Sequence, residues 1–197
     1  MIRVEGLTAT YGKKKVFEGL SFEAKGITLV LGPNGAGKST LLRCVGGGGN
    51  CSGYIEVFGK PVQRGAKGLP PEKRGVAYLP QGGFSVGPLK VEDALSLAGE
   101  VDEETVEALG IKSLLKFKLK ELSGGQLKRV SIAMILLSKR RAWLLDEPLA
   151  GIDKEGRKEI TLFIAEKARA VGATVLWATH FPEPQEVADG ELSLGRR

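Results

Sequence analysis

The sequence predicts an α/β fold in which a mostly parallel sheet is flanked by helices. Short apolar runs bounded by glycine or polar residues have the composition of strands that are buried on both faces of such a sheet. Three runs have this character, at 27–31, 143–145 and 174–178. Segments of helical periodicity lie next to these runs, and strands that alternate with helices form a largely parallel sheet.

The helices are predicted from apolar residues at helical spacing and from end signals. Residues 124–137 have one apolar face, and Asp153 is a good N-cap for a later helix that Gly172 ends. A helix is also predicted from Lys38 to about Val45, and the four glycines at 46–49 then form a loop. Further strands are predicted at 2–7, 20–24, 54–58 and 76–79. Short helical segments at 91–98, 102–109 and 111–117 indicate a small helical lobe.

Length and composition favour one folded unit. The chain has 197 residues, of which 42% are hydrophobic and 26% charged, which is ordinary for a soluble globular protein. No run approaches the roughly 20 apolar residues that span a bilayer, and the N-terminus does not resemble a signal peptide, so we expect a cytosolic location. The net charge of +6 is spread among acidic residues, and no nucleic-acid partner is expected.

Cys44 and Cys51 are the only cysteines in the chain. They form no CxxC pattern and have no cluster of histidines nearby, so a metal site is not supported. Because disulfides are rare in the cytosol, we expect two reduced thiols.

A P-loop pattern lies between the predicted strand at 27–31 and the helix that follows it. It consists of Gly32, Pro33, Asn34, Gly35, Ala36, Gly37, Lys38, Ser39 and Thr40. The glycines allow successive backbone N–H groups to converge on phosphate oxygens at a helix N-terminus. Lys38 would reach the β and γ phosphates, and the Ser39 hydroxyl would ligate Mg²⁺. The pattern predicts a nucleotide-binding site.

Two carboxylates, Asp146 and Glu147, end the apolar strand at 143–145. Ligands bind at strand ends in open α/β sheets, so Asp146 would hold Mg²⁺ directly or through water. Glu147 could polarise the water that attacks the γ phosphate.

The segment Leu122, Ser123, Gly124, Gly125, Gln126 opens the helix at 124–137. A serine and two glycine N–H groups at a helix N-terminus form a second phosphate site. This segment resembles the signature sequence of the ATP-binding cassette family. In that family the signature serves the ATP held by the other protomer.

The resemblance extends from Tyr11 to about Leu194 and implies further roles. Tyr11 would stack on adenine with Val16 nearby, and Gln81 would approach Mg²⁺ and the attacking water. His180, the only histidine, would contact the γ phosphate and orient Glu147. Asp153 would serve the loop that crosses the dimer interface.

The resemblance also implies the architecture and the partners. It implies a P-loop fold of cassette type in one domain over 1–197, with an N-terminal antiparallel β-subdomain and a helical subdomain inserted at about 84–138. We expect Mg-dependent ATP hydrolysis by a homodimer or heterodimer of cassettes that drives a separate membrane permease at the inner face of the membrane. A soluble cassette ATPase and a non-catalytic nucleotide-binding module are the alternatives. The stretch between Gln81 and Ser123, which carries the docking surface in the family, is shorter than usual.

Overall fold

The structure is a computed structural model that describes residues 1–11, 14–84 and 87–195. Ten strands lie within these ranges: β1 (Ile2–Tyr11), β2 (Lys14–Ala24), β3 (Ile27–Leu31), β4 (Asn50–Val57), β5 (Lys60–Gly65), β6 (Lys67–Gly68), β7 (Val76–Leu79), β8 (Ala142–Asp146), β9 (Thr174–Ala178) and β10 (Gly190–Ser193). Five α-helices accompany them: α1 (Lys38–Gly46), α2 (Val91–Ala98), α3 (Glu103–Ala108), α4 (Gly124–Leu137) and α5 (Lys154–Ala170). No helix of the described ranges is long and apolar enough to cross a membrane.

One sheet is antiparallel, with the strand order β2-β1-β4-β5-β6. Its β4–β5 hairpin turns at Phe58 and Gly59, which have φ values of 48° and 78°. Positive φ at both central residues is the requirement of a tight type I′ hairpin turn. The strand predicted at 54–58 corresponds to the second half of β4. Strands β5 and β6 were not predicted, because their few apolar residues do not alternate clearly.

The other sheet is parallel, with the order β10-β3-β9-β8-β7. Successive residues of its strands face two separate apolar cores, as the pleat requires. Leu29 and Trp143 belong to the core beneath α2–α5, whereas Val30 and Leu144 face α1 and the antiparallel sheet. Because both faces are covered, the central strands β3, β8 and β9 are apolar at nearly every position, which made them predictable from the sequence. The edge strand β10 has two polar residues among four and was not predicted.

The segment between β7 and β8 contains α2, α3 and α4. The predicted helix at 111–117 is wrong in extent, because only Lys112–Leu114 is helical there, as a single 3₁₀ turn. The N–H groups of Val91 and Glu92 donate to the carbonyls of Phe117 and Leu115 at 3.0 Å each. The backbone of this segment therefore completes the start of α2 instead of continuing a helix. The assignment of the whole chain to one domain with a helical insertion remains a prediction.

The expectation of two free thiols is wrong, since Cys44 and Cys51 form a disulfide with a Cα–Cα distance of 5.8 Å. Residues 46–49 reverse the chain between α1 and β4 and bring the two cysteines together. Gly46 is still helical, and Gly47 ends α1 in the left-handed conformation at φ 97°. A Cβ on Gly47 would lie 2.7 Å from Nε of Arg74, so glycine is required at this position for a close approach as well as for the turn.

Candidate functional site

The P-loop connects the end of β3 to α1, as the sequence predicts. Gly37 is the N-cap of α1 at φ 99°, and the helix has neither a side-chain cap nor an acidic residue in its first turn. The positive end of the helix dipole therefore meets no negative side chain of its own first turn. This arrangement suits a bound anion.

Glycine is required at two positions of the P-loop. A Cβ on Gly32 would lie 2.5 Å from the carbonyl oxygen of Leu194, and a Cβ on Gly37 would lie 2.5 Å from Cγ1 of Val16. Val16, on β2, therefore packs directly against the P-loop. The contact of Val16 with a nucleotide remains a prediction. The side chain of Tyr11 lies outside the described residues.

Lys38 is folded back over its own loop. Its Nζ donates to the carbonyls of Gly32 at 2.8 Å and Pro33 at 3.4 Å, and the residue is 9% exposed. The ammonium group is thus held at the centre of the loop, where a phosphate group would bind.

Ser39 and Asp146 meet at the carboxyl end of the parallel sheet. The Ser39 hydroxyl donates to Oδ1 of Asp146 at 3.0 Å, and the phenol of Tyr78 donates to Oδ2 at 3.5 Å. Burial raises the pKa of Tyr78, so the phenol stays protonated and can donate. Tyr78 was not predicted as a site residue, and it reaches Asp146 because β7 pairs with β8.

Glu147 and His180 form the second pair of predicted side chains that the structure brings together. Oε2 of Glu147 is buried and lies 2.9 Å from Nδ1 of His180, and this oxygen has no other polar partner in the described part of the chain. Glu147 also has φ 49°, which is strained for a residue other than glycine. Its N–H donates to the carbonyl of Ala178 at 3.0 Å, which holds the strained backbone to β9.

Gln81 lies in a loop that α4 holds in place. Nζ of Lys128 donates to the carbonyls of Gln81 and of Pro80, the latter at 3.3 Å, and Oγ of Ser131 accepts from the N–H of Phe84 at 2.9 Å. Lys128 is 4% exposed, and burial lowers its pKa. No described hydrogen bond joins the side chain of Gln81 to Ser39 or Asp146. Lys128 and Ser131 were missed because helical periodicity assigns polar residues to a solvated face.

The signature segment, residues 122–126, forms a capping box at the start of α4. Ser123 Oγ accepts from the N–H of Gln126 at 3.3 Å, and Gln126 Oε1 accepts from the N–H of Ser123 at 2.9 Å. Gly124 is exposed, and a Cβ on Gly125 would lie 2.7 Å from the carbonyl oxygen of Gly151. Across the described ranges, no hydrogen bond or ion pair joins this segment to the P-loop. The phosphate site predicted at this segment thus has no described polar contact with the P-loop of the same chain.

Asp153 caps α5, where its Oδ1 accepts from the N–H of Gly156 at 2.9 Å. That hydrogen bond lowers the pKa of Asp153. The N-cap role predicted for this residue is confirmed by the structure.

Arg157 connects the loop before α5 with the segment that follows His180. Its Nη1 donates to the carbonyl of Ile152 at 3.0 Å, its Nε donates to Glu183 at 2.9 Å, and its guanidinium lies 4.5 Å from the ring centre of Phe181. The Phe181 ring lies 4.1 Å from that of His180. The interspersed charges at 154–159 indicate a solvated helix face, and this interpretation is wrong for Arg157, whose side chain is 19% exposed.

Comparisons with known proteins agree on one family. The profile of the family described as "ABC transporter" matches residues 19–150. The chain is 34% identical to the molybdate/tungstate import ATP-binding protein WtpC of Thermococcus kodakarensis, over 100% of this chain and 63% of that protein. It is 32% identical to the Fe(3+) ions import ATP-binding protein FbpC of Mesorhizobium japonicum, over 91% of this chain and 53% of that protein. The chain thus spans between half and two thirds of the length of these relatives.

Solved structures show the same fold. A putative ABC transporter ATP-binding protein from Pyrococcus furiosus superposes with a TM-score of 0.78 at 26% identity, over 98% of this chain and 96% of that one. A dimeric bacterial ABC transporter cassette superposes with a TM-score of 0.82 at 20% identity, over 99% and 94% of the two chains.

Proposed function

Because the chain belongs to the ABC transporter family of ATP-binding cassettes, which confirms the predicted family and fold class, we propose that it hydrolyses ATP to energise a transport system. The observation that carries this proposal is the pairing of Ser39 with Asp146 and of Glu147 with His180 at the same end of the parallel sheet.

Lys38, Glu147 and His180 have proposed roles that their positions support. Lys38 and the amides at the start of α1 would bind the β and γ phosphates. Glu147 would accept a proton from the attacking water, since its carboxylate follows the carboxyl end of β8 and its Oε2 is held beside His180. His180 lies beside that oxygen and would orient it. Tyr11 and Val16 would contact the adenine.

The residues present fit a Mg²⁺ ion. The Ser39 hydroxyl and the Asp146 carboxylate are 3.0 Å apart and supply oxygen ligands, which Mg²⁺ prefers. The described residues include no group of three or more His, Cys, Asp or Glu side chains that could hold a metal. Mg²⁺ commonly takes one or two protein ligands together with substrate phosphates, and Gln81 would approach it as a further oxygen donor. The ion would neutralise charge on the phosphate oxygens.

A second copy of a cassette would complete the site. The Ser123, Gly124, Gly125 and Gln126 segment makes no described polar contact with the P-loop of its own chain, and its N–H groups at the start of α4 suit a phosphate group of another chain's ATP. We propose a head-to-tail homodimer or heterodimer in which Asp153 and its loop line the interface. A similar fold has been solved as a dimer.

The proposed partner of the cassette is a separate membrane permease. The relatives described above are named as import ATP-binding proteins, which supports an importer whose permease is a separate subunit. The cassette would then lie at the cytoplasmic face of the membrane. Purification from membranes under mild detergent should recover the cassette with an integral membrane protein, and its isolation only from the soluble fraction would favour the soluble alternative.

The test of ATP hydrolysis uses Lys38→Ala with Lys139→Ala as its control. Lys139 is an exposed lysine in the loop before β8. Lys38→Ala should abolish ATP binding or turnover measured by phosphate release, whereas Lys139→Ala should match the wild type. Unchanged turnover in Lys38→Ala would contradict the P-loop assignment.

The test of the shared site uses Glu147→Gln, which retains bound ATP because it cannot polarise water. Size-exclusion chromatography with light scattering should show a monomer without nucleotide and a dimer with Mg-ATP, since ATP binds both subunits. Adding Ser123→Arg should prevent that dimer by filling the phosphate site. A Glu147→Gln protein that stays monomeric when saturated with ATP would count against the dimer.

A further inference from the structure

Lys128 is a buried cation on α4 whose ammonium group has no acidic partner. The residue is 4% exposed, and none of the ion pairs of the described residues includes it. Its Nζ donates to two backbone carbonyls, those of Pro80 and Gln81. Both carbonyls belong to the loop between β7 and α2 from which the Gln81 side chain projects.

Ser131 holds the same loop one helical turn further along. Its Oγ accepts from the N–H of Phe84 at 2.9 Å and donates to the carbonyl of Leu127 at 2.7 Å. A Cβ on Gly83 would lie 3.0 Å from this Oγ, so the loop is packed tightly against α4. Side chains at positions i and i+3 share one face of a helix, and Lys128 and Ser131 therefore form one attachment face.

Packing alone does not explain a lysine at this position. A buried ammonium group without a carboxylate partner is costly, and an apolar side chain of similar length would fill the space at less cost. The negative charges of Asp146 and Glu147 stabilise the ammonium group. What the lysine supplies, and an apolar residue would not, is a pair of hydrogen bonds that set the position of the loop at Gln81.

We propose that Lys128 is a positioning residue that fastens the Gln81 loop to the helix that starts at Ser123, so that Gln81 is presented to the metal–nucleotide complex. This inference rests on the proposed function. Helix α4 begins at the segment that would bind the partner's ATP. The hydrogen bonds of Lys128 would therefore connect Gln81, which serves the nucleotide of its own chain, with the segment that contacts the nucleotide of the other chain.

The experiment measures metal binding directly. Mn²⁺ would be titrated, in place of Mg²⁺, into the protein saturated with a non-hydrolysable ATP analogue, and free Mn²⁺ followed by electron paramagnetic resonance. Lys128→Met keeps the length of the side chain and removes both hydrogen bonds. Loss of an outer-shell partner weakens metal binding by about 10-fold or more, which is the result expected for Lys128→Met. Lys139→Met serves as the matched control and should leave the affinity unchanged.

A second readout separates positioning from general damage. In Lys128→Met, hydrogen exchange should accelerate at the amides of 81–84 and remain unchanged in β3 and β8. Binding of the analogue without metal should also match the wild type. Unchanged Mn²⁺ affinity in a folded Lys128→Met protein would overturn the inference.

If Lys128→Met does not fold, Ser131→Ala tests the inference instead, because it removes the Phe84 hydrogen bond and leaves the charge of Lys128 in place. It should weaken Mn²⁺ binding by about two- to fivefold, the effect of one hydrogen bond, and no change would overturn the inference. If the wild-type protein itself binds neither the analogue nor Mn²⁺, the proposed function fails, and this inference fails with it.

Discussion

The packing of Val16 against the P-loop leads to a prediction about two glycines. Gly35 and Gly37 have φ values of 81° and 99°, so alanine at either position adopts an unfavourable backbone conformation. That conformation costs roughly 1–2 kcal/mol. A Cβ on Gly35 would meet nothing within 4 Å, whereas a Cβ on Gly37 would lie 2.5 Å from Cγ1 of Val16 and 3.3 Å from Cδ1 of Phe17.

The steric overlap sets the expected difference between the two substitutions. Carbon atoms in contact are normally about 3.5–4.0 Å apart, so the Val16 methyl group or the loop must move by about 1 Å. Overpacking of this kind costs about 1–3 kcal/mol. Gly37→Ala should therefore lower the free energy of unfolding by about 1–3 kcal/mol more than Gly35→Ala does, as measured by urea denaturation.

A double-mutant cycle identifies Val16 as the cause. Val16→Ala removes Cγ1, so the two substitutions combined should destabilise the protein by less than the sum of their separate effects, by about 1 kcal/mol or more. The reasoning is refuted if Gly37→Ala is no more destabilising than Gly35→Ala, or if the effects of Gly37→Ala and Val16→Ala simply add.

Three further predictions follow from other parts of the molecule. Tyr11→Ala should weaken ATP binding by about 1–3 kcal/mol, the scale of base stacking, and leave turnover at saturation largely intact. Equal ATP affinities of the variant and the wild type in calorimetry would contradict the stacking role. Arg157→Leu should destabilise the protein by roughly 2–3 kcal/mol, because it leaves the carboxylate of Glu183 buried without its cation. Burial acts to raise the pKa of Glu183, but its hydrogen bonds, including that from Arg157, lower the pKa overall. The ionised Glu183 therefore stabilises the folded protein above the unfolded pKa of glutamate, and this contribution is lost as the pH falls through the folded pKa. In acid denaturation, Arg157→Leu should therefore show a smaller acid-side loss of stability than the wild type, and a variant with the wild-type profile would contradict the assignment. Reduction of the Cys44–Cys51 disulfide should lower the free energy of unfolding by about 2 kcal/mol, and two titratable thiols in the unreduced, unfolded protein would show that the bond is absent.

The sequence alone determined the features that depend on neighbours along the chain. These local patterns are the P-loop spacing, the buried runs at 27–31 and 174–178, the helix start after Ser123 and the N-cap Asp153. The structure has helices and strands at these places. Such patterns are readable because backbone hydrogen bonding within a helix, and burial on both faces of a strand, constrain residue type at short spacing.

Only the tertiary structure decided which distant side chains meet. Lys128 lies 47 residues from Gln81 in the chain, and Tyr78 lies 68 residues from Asp146, so no local spacing predicts either contact. The disulfide was missed because the expected cytosolic location argued against it, and cysteine spacing does not show how residues 46–49 reverse the chain. These contacts arise from the packing of α4 against β7, the register of β7 on β8 and the path of a glycine-rich turn. All three features are set by the burial of whole helices and strands and not by any single motif.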